Sequence, residues 1–411
     1  MRIYGFQGYR FSTSAGDAGQ LAAPPFDQID DSLRDELQAS ARHHFAHLTR
    51  PLPGEEGDPY RHAAALHRSW FEDGTVARDP EPCLYPYVIE SPDGVRRLGL
   101  CTLVGVEDPS SNVIRPHEST LDKPFADRLN LLRTTRIDLE PVMFLSDDPG
   151  TLEEMLRQDL AHLEPVARHR DAAGNVHSLF RVSGADRITG YQEALSGCSA
   201  AIADGHHRYK VGRTYAEEIG AAPGTGAAAK MAVLFSLSSK HLVIDPIHRG
   251  FAEAPDLSPL YGLLRSRESL EVSSGEALAA AVAAAPQPAL GVLTREGAEL
   301  WGLDPARLPE GCPPGSERLA VVHLHSHLLP LLGFSQASYL DGTVSYRAIP
   351  ATLFRQVRSG ELALGIFLPP MSAEAFGEAI SKGDLLPAKA TRFLPKLASG
   401  LVWAGHDAQL I

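Results

Sequence analysis

The chain has few cysteines, and none of them forms a motif. Its 411 residues include only 4 cysteines, with no Cys-x-x-Cys pair among them: Cys83, Cys101, Cys198 and Cys312. Such wide spacing fits neither a zinc finger nor a dithiol redox centre. The first residues also lack the long apolar stretch of a secretion signal. We therefore expect a reduced, cytoplasmic protein.

Long apolar runs and excess positive charge are also absent. The longest low-polarity run, residues 277–285, is far shorter than the ~20 residues that span a bilayer. The 38 Lys and Arg residues are outnumbered by 51 Asp and Glu residues, for a net charge of −13. An acidic surface repels phosphate backbones and anionic lipid, so we expect no nucleic-acid partner and no membrane partner. A local basic pocket for a small anion stays compatible with this charge.

The composition predicts a soluble globular protein of mixed α/β class. Hydrophobic residues make up 44% and charged residues 22%, which are ordinary values for such proteins. The length favours two or three domains, and helix-like stretches alternate with strand-like ones. We place boundaries near residues 110 and 252, which gives an N-terminal region 1–110, a central region 111–252 and a C-terminal region 253–411.

The periodicity predicts particular elements. Strands are expected at 98–106, 141–146, 176–182, 199–203, 289–294 and 362–368. Helices are expected at 122–136, 152–163, 209–218, 276–285 and 373–381. The stretches 231–237 and 241–247 suggest a hairpin.

The sharpest motif is the box Ile-Ala-Asp-Gly-His-His-Arg-Tyr at 202–209. An apolar strand leads through a glycine turn into a helix, a geometry in which backbone N–H groups converge on an anion. His206, His207 and Arg208 are candidate phosphate ligands, and Gly205 forms the turn. Asp204 is a candidate ligand for Mg²⁺ or a group that orients a hydroxyl. The alternative is a solvent-exposed structural turn.

A second box, Arg-Pro-His-Glu-Ser-Thr at 115–120, contains a candidate general base. Glu118 follows a rigid proline turn and could accept the proton of a substrate hydroxyl, with His117 beside it to orient the carboxylate. The alternative is a capping segment, in which Ser119 or Thr120 stabilises the following helix.

Three weaker features complete the set of candidates. Lys389, Arg392 and Lys396 make a basic island near the C-terminus, which suits either an anion or a solvated loop. Asp27 follows two prolines in a turn. His323, His325 and His327 alternate and would point to one side of a strand, so a metal site is an open alternative there.

These boxes together resemble the bacterial and archaeal domain-of-unknown-function family 1015. The resemblance rests on IADGHHRY, with AAPPFD, RPHEST, DKPFADRLNLLRTTR, DPIHRGF and LLPAKATRFLPKLASGLV in the same order. It extends from about residue 20 to residue 402. The family brings no established chemistry.

The chain also has a more distant similarity to the free-serine kinases of the ParB/sulfiredoxin-like superfamily. His117-Glu118, Arg128-Leu129, the strand at 141–146 and Asp204 to Arg208 follow the order of the motifs in those enzymes. The residues at 150–198 are an insertion relative to a compact domain of that type. The resemblance implies a ParB/sulfiredoxin-like central core with large N- and C-terminal α/β elaborations.

Carried over to this chain, the similarity implies a kinase that transfers a phosphoryl group to a small hydroxylated metabolite. The donor is ATP (or ADP) with Mg²⁺, and free L-serine is the favoured acceptor. Glu118 is the implied base, assisted by His117 and Asp204, and Asp204 and Glu118 are the implied metal ligands. Nucleotide ligands are Gly205, His206, His207, Arg208 and Arg128, and substrate ligands are Asp27, Lys389, Thr391 and Lys396.

Two alternatives belong to other classes. A nucleotide-binding switch of the ParB-like type would use the same turn without turnover, and a metal-dependent hydrolase would use the histidines. A homodimer is left open as the state of assembly. Fold similarity alone does not choose between these functions.

Overall fold

The fold divides into two compact units. A computed structural model describes residues 1–55, 57–117, 123–308, 316, 318–383 and 385–411. The first unit comprises the described residues of 1–116, 123–242 and 395–411, and the second comprises residue 117 and the described residues of 243–394. Both units contain helices and sheets, so the predicted mixed α/β class is confirmed. The predicted regions 1–110 and 111–252 fall mainly within the first unit.

Ten described strands of the first unit form one mixed sheet. Its order is Ile114–Arg115, Ala200–Asp204, Val142–Ser146, Ala229–Ser236, Arg96–Gly105, Cys83–Glu90, Val176–Leu179 and Ala167–Arg170, with Ile3–Tyr4 beside the fifth of these and Val182–Ser183 beside the sixth. Two neighbouring pairs are parallel: Ala200–Asp204 with Ile114–Arg115, and Ala229–Ser236 with Val142–Ser146. Two small ribbons pair Tyr9–Phe11 with Val76–Arg78, and Ala404–Gly405 with Ile137–Asp138.

Eight helices lie in the described part of the first unit. They are Ala18–Leu21, Asp31–Ser40, Ala46–Thr49, Pro59–Glu72, Lys123–Thr135, Thr151–Leu160, Ala185–Leu195 and His206–Glu218, with short 3₁₀ turns at Thr13–Ala15, Phe26–Gln28, Pro109–Ser111 and Gly226–Ala228. Leu129 and Leu132 of one helix pack against Val211 and Tyr215 of another. This contact joins the helix that carries Arg128 to the helix that follows the glycine turn.

The sheet has long central strands because their residues are almost entirely apolar. Val142, Phe144, Leu234 and Leu100 belong to one buried cluster that also includes Leu156 and Leu195 from the covering helices. Residues buried on both faces of a sheet read as continuous apolar runs rather than as alternating ones. This property made the strands at 98–106 and 141–146 predictable.

The second unit is built on an antiparallel sheet. Its order is Leu264–Leu270, Ala298–Leu303, Ala289–Leu293, Leu364–Phe367, His248–Phe251 and Val344–Arg347. A separate ribbon pairs Val243–Asp245 with Arg392–Leu394. The helical segments are Gly275–Ala284, Ala320–His323, Leu324–Leu328, Leu329–Leu331, Ala337–Leu340, Pro350–Ser359 and Ala373–Ser381, with a 3₁₀ segment at Ser258–Leu263. Leu278, Val282, Leu353 and Phe367 lie in its core.

One prediction about local structure is wrong. The expected hairpin of 231–237 with 241–247 does not form, because Ala229–Ser236 pairs inside the large sheet while Val243–Asp245 pairs with Arg392–Leu394 in the second unit. The histidines at 323, 325 and 327 lie on helical segments, Ala320–His323 and the π turn Leu324–Leu328. The same-side arrangement that alternation would give on a strand therefore does not arise.

No helix within the described ranges is both long enough and apolar enough to cross a bilayer.

Candidate functional site

The strand, glycine turn and helix predicted at residues 199–218 are present. Strand Ala200–Asp204 ends at Gly205, which has φ +91°, and helix His206–Glu218 begins directly after it. Glycine adopts this left-handed backbone without a Cβ penalty. A Cβ at this position would also lie 2.9 Å from Nε of Arg208. The turn therefore requires glycine for both its backbone and its packing.

Asp204 holds two cations on its two carboxylate oxygens. NH2 of Arg208 donates to Oδ2 at 2.6 Å, and Nζ of Lys396 donates to Oδ1. The Asp204 side chain is 17% exposed. Burial acts to raise the pKa of Asp204, but the charges of Arg208 and Lys396 prevail and lower this pKa to about 2. Asp204 is therefore an anion at neutral pH and fixes the position of both cations.

A second buried carboxylate, Glu140, lies in the same network. It is 5% exposed and accepts hydrogen bonds from the backbone N–H of Phe26 at 2.9 Å and the hydroxyl of Ser399 at 3.2 Å. Burial raises its pKa, against the lowering effect of the charges on Arg208 and Arg128. The charge of Asp27 also acts on it, so this predicted residue belongs to the electrostatic surroundings of the network.

A further ion pair, Lys230 with Asp138, lies close to Glu140. Nζ of Lys230 binds the carboxylate of Asp138 and also donates to the backbone oxygen of Glu140 at 3.2 Å. The second oxygen of Asp138 accepts from the N–H of Met231 at 2.7 Å. Burial lowers the pKa of Lys230, while Asp138 acts in the opposite direction. A small cavity of about 40 Å³ is lined by Asp138, Glu140, Arg208, Lys230 and Arg128, among apolar residues.

Arg128 is firmly anchored. Its NH1 donates to the backbone oxygen of Thr49 at 2.7 Å and its Nε to Asp127 at 2.7 Å. Its guanidinium lies 4.3 Å from the centre of the Phe26 ring. Only 7% of the surface of Arg128 is exposed. Its charge is therefore held at one place, unlike that of a mobile surface group.

The start of helix His206–Glu218 adds positive character. Its cap residue is glycine, which has no side chain to accept the first N–H groups of the helix. Such an end carries a partial positive charge and is suited to an anion. His206 is buried and His207 is half-buried.

The residues of the predicted basic island are divided between the two units. Lys396 belongs to the first unit, whereas Lys389 and Arg392 belong to the second, where Arg392 pairs with Asp245 at 3.1 Å. The island assignment relied on proximity in the sequence, but the chain passes from one unit to the other between Arg392 and Lys396.

Other predicted site residues lie in the second unit. Nε2 of His117 and Oγ1 of Thr391 share a hydrogen bond of 2.9 Å. The His117 ring also packs edge-on against Phe376 and Phe393, with centroid distances of 5.2 and 5.8 Å. Glu118, the predicted base, lies outside the described residues.

The geometry at Asp204 does not fit direct coordination of Mg²⁺. Each carboxylate oxygen of Asp204 is already bound by a cation, so a metal ion would share an oxygen with Lys396 or Arg208 and would be repelled by their charge. Within the described ranges no group of three or more His, Cys, Asp or Glu side chains is arranged to hold a metal. The histidines at 323, 325 and 327 also separate: His323 stacks on His327, while His325 receives hydrogen bonds from Arg249.

Asp138, Glu140 and Lys230 were not among the predicted site residues. The available signal was polar residues at positions where the pattern is apolar: Asp138 and Glu140 precede a buried strand, and Lys230 lies near the start of another. A charged residue in such a place is costly unless it is paired.

Residues 3–306 match the model of the family described as "Protein of unknown function (DUF1015)", and the chain belongs to this family. No curated protein matches the chain. Among solved structures, a conserved hypothetical protein from Pyrococcus furiosus is similar at 12% identity and a TM-score of 0.35, over 72% of this chain and 90% of that one.

Two further structures are similar to the chain at a comparable level. A free serine kinase in complex with AMP has 14% identity and a TM-score of 0.37, over 73% of this chain and 92% of that one. SbnI with a C-terminal truncation, from Staphylococcus aureus, has 11% identity and a TM-score of 0.37, over 72% and 84%.

Proposed function

We propose that the protein is a small-molecule kinase that transfers a phosphoryl group from ATP (or ADP) to a hydroxyl of a small metabolite, with free L-serine as the first acceptor to test. The observation that carries this proposal is the pair of cations, Arg208 and Lys396, that Asp204 holds at the start of helix His206–Glu218, with the Lys230–Asp138 ion pair further along the same helix. Phosphoryl transfer asks a protein mainly to position its reactants and neutralise charge.

Lys396 and Arg208 have separate tasks in this proposal. Lys396 is 19% exposed and is held by one oxygen of Asp204, so a phosphate oxygen replaces that contact with little rearrangement. Arg208 is 6% exposed and donates to both Asp204 and the backbone oxygen of Pro141, so it supplies fixed positive potential. The first-turn N–H groups of the helix receive the remaining phosphate oxygens.

The chemical step follows from the residue types. The acceptor hydroxyl oxygen forms a bond to the transferred phosphorus while the bond from phosphorus to the donor's bridging oxygen breaks. The hydroxyl proton goes to Glu118, and the shortened nucleotide leaves with the electrons of the broken bond. The role of Glu118 comes from its place in the His-Glu box of the sequence.

The direct test is a mass-spectrometric screen. Purified protein is incubated with ATP, ADP or pyrophosphate and a panel of amino acids and small alcohols, with Mg²⁺ or with EDTA. We expect a phosphorylated product for one acceptor, with L-serine first, and a strong loss in Glu118→Gln while nucleotide binding persists. No phosphorylated product across the panel would contradict the proposal, and nucleotide binding without product would favour a switch.

A pair of lysine variants tests the phosphate site. Lys396→Met removes the cation on Asp204, and we expect nucleotide affinity to fall by roughly tenfold or more, since bonds to charged groups are worth about 1.5–3 kcal/mol. Lys382→Met is the matched control, because Lys382 is exposed and pairs with Glu378 on its own helix. Equal nucleotide affinity in both variants would show that Lys396 does not bind the phosphates.

A further inference from the structure

The first unit carries a second, larger cavity that the proposed function does not use. This groove has a volume of about 750 Å³, within the range of sites for small organic molecules. Its walls come from helix Pro59–Glu72, the end of helix Lys123–Thr135, the end of helix His206–Glu218 and the turn at His406 and Asp407.

The groove is basic in a chain with a net charge of −13. Its lining includes Arg68, Arg133 and Arg136, with Asp407 as the acidic lining residue. Asp407 is bound by Arg78 at 2.7 Å, and Arg133 by Glu218. In the described part of the chain, neither Arg68 nor Arg136 has a side-chain hydrogen bond or an ion pair, and both are exposed. Two guanidinium groups therefore face the groove without a carboxylate.

Aromatic rings make up much of the remaining lining. Tyr215 and His406 lie 5.0 Å apart between ring centres, and Tyr9 contacts Phe71 edge-on at 5.6 Å. Phe71 is 46% exposed, and Ile219 at the same groove is 51% exposed. Flat apolar surface beside a guanidinium suits a ligand with a ring and a neighbouring anionic group.

Arg136 occupies a backbone position that ordinarily favours glycine. It follows the last residue of helix Lys123–Thr135 with φ +54°, and its N–H closes the helix on the oxygen of Leu132 at 2.8 Å. A left-handed backbone costs a residue with a Cβ about 1–2 kcal/mol, and glycine is the usual choice at this place. The arginine is retained at a cost to folding, which indicates a use for its side chain.

His406 gives a separate indication at the same groove. Its backbone N–H donates to the oxygen of Arg136 at 3.0 Å, while its buried Nδ1 has no hydrogen-bond partner among the described residues. Buried polar atoms are usually paired, so this nitrogen is an unsatisfied group in the wall of the groove.

We propose that this groove binds a small organic anion in which a phosphate or carboxylate group stands beside a flat ring. Arg68 and Arg136 bind the anionic group, and the ring packs against Tyr215 and His406. A guanidinium fork recognises phosphate and carboxylate alike. The test therefore uses one probe for each group.

The test is calorimetric titration of the full chain with phenyl phosphate and with benzoate. Benzyl alcohol supplies the ring without the charge, and inorganic phosphate supplies the charge without the ring. We expect at least one ring-bearing anion to bind more tightly than both controls by about tenfold. No binding of either anion, or equal binding of inorganic phosphate or benzyl alcohol, would overturn the proposal.

Variants locate the binding and exclude misfolding. Arg68→Ala and Arg136→Gly should each weaken binding roughly tenfold, while Arg42→Ala, which changes an exposed arginine elsewhere in the same unit, should leave it unchanged. Arg136→Gly also suits the left-handed backbone, so its melting temperature should be equal to or above that of the wild type. Unchanged affinity in Arg136→Gly would contradict the assignment.

One further variant separates this groove from the proposed kinase site. Lys396→Met alters the Asp204 network, so the probes should bind it as they bind the wild type. Loss of probe binding in Lys396→Met would place the probes at the Asp204 network and overturn the groove proposal, whatever the outcome of the kinase screen.

Discussion

Arg208 in the first unit and Arg249 in the second are both buried, but their charges are held differently. Arg208 is paired with the carboxylate of Asp204, which also binds Lys396. Arg249 is fully buried and donates to the backbone oxygens of Ile247 and Lys389 and to Nε2 of His325, with the Tyr346 ring 4.7 Å from its guanidinium. Among the described residues, Arg249 makes no ion pair with a carboxylate.

The difference separates an exchangeable site from a structural one. In the proposed function, a phosphate replaces Asp204 as the anion that Lys396 contacts, so that one anion is exchanged for another. Arg249 is surrounded by neutral acceptors and rings, so it stabilises the packing of the second unit and is shielded from a ligand. The predictions below address these two arrangements in order of expected effect.

The largest effect is expected at Asp204. Asp204→Asn leaves Arg208 buried without its counter-charge, and removal of one partner from a buried pair costs about 3–5 kcal/mol. Because Asp204 is 17% exposed, we expect about 3 kcal/mol of lost stability in urea unfolding at pH 7. Glu36→Gln, at an exposed position of helix Asp31–Ser40, is the control and should change stability little. If Asp204→Asn loses no more stability than Glu36→Gln, the ion pairs of Asp204 with Arg208 and Lys396 are contradicted.

The second effect distinguishes the Arg249 cluster by its pH dependence. Burial, with a contribution from Arg249, lowers the pKa of His325 to about 3. In the unfolded chain the imidazole of His325 binds a proton near pH 6.5, whereas in the folded chain it stays neutral. The free energy of unfolding therefore falls as the pH falls below 6.5. This amounts to about 2 kcal/mol at pH 5. His325→Gln, measured by urea unfolding at pH 7 and pH 5, should remove that part of the loss.

The control is His162→Gln, which changes an exposed histidine of the first unit and should keep the wild-type slope. If His325→Gln loses as much stability between pH 7 and pH 5 as the wild type does, the claim that His325 is neutral in the folded protein is contradicted.

A third effect appears at lower pH. The pKa of Asp204 is lowered to about 2 by Arg208 and Lys396, so its contribution to stability is present above pH 4 and is lost as the pH falls from 4 toward 2. The stability difference between wild type and Asp204→Asn should therefore narrow over this range by about 2 kcal/mol. A constant difference from pH 5 to pH 2 would show that Asp204 is not held as an anion by its neighbours.

The smallest effect concerns Arg392, the arginine of the predicted basic island. Arg392 pairs with Asp245 at 3.1 Å, with side chains 26% and 31% exposed. Partly exposed pairs contribute about 0.2–1 kcal/mol, so Arg392→Ala should cost about 0.5 kcal/mol in the same assay. A cost equal to that of Asp204→Asn would erase the distinction between the two pairs.

Local sequence patterns predicted much of the first unit. The strand before Asp204, the helix after Gly205 and the apolar strand at 141–146 are all present, with bounds within a few residues of those expected. These features depend on apolar periodicity and on turn chemistry, which are properties of short stretches. The convergence of Asp27, Arg128 and Arg208 on Glu140 is electrostatic and joins residues far apart in the sequence, and the sequence analysis did not predict it.

Patterns that depend on distant partners were not predictable. Whether 231–237 pairs with 241–247 or inside the large sheet depends on strands far away in the sequence. Lys396 and Arg392 are four residues apart but lie in different units. Local spacing therefore could not show which unit carries each charge. The π turn at Leu324–Leu328 likewise followed tertiary packing rather than the alternation of histidines.

The most direct test of the central claim is phosphoryl transfer by the purified chain, measured by mass spectrometry with ATP and L-serine and repeated with Lys396→Met and Lys382→Met. The proposed function predicts phosphorylated acceptor in the wild type and in Lys382→Met, and a loss of at least about tenfold in Lys396→Met at limiting ATP. Equal turnover in all three proteins, or no phosphorylated acceptor from any donor and acceptor in the panel, would contradict it.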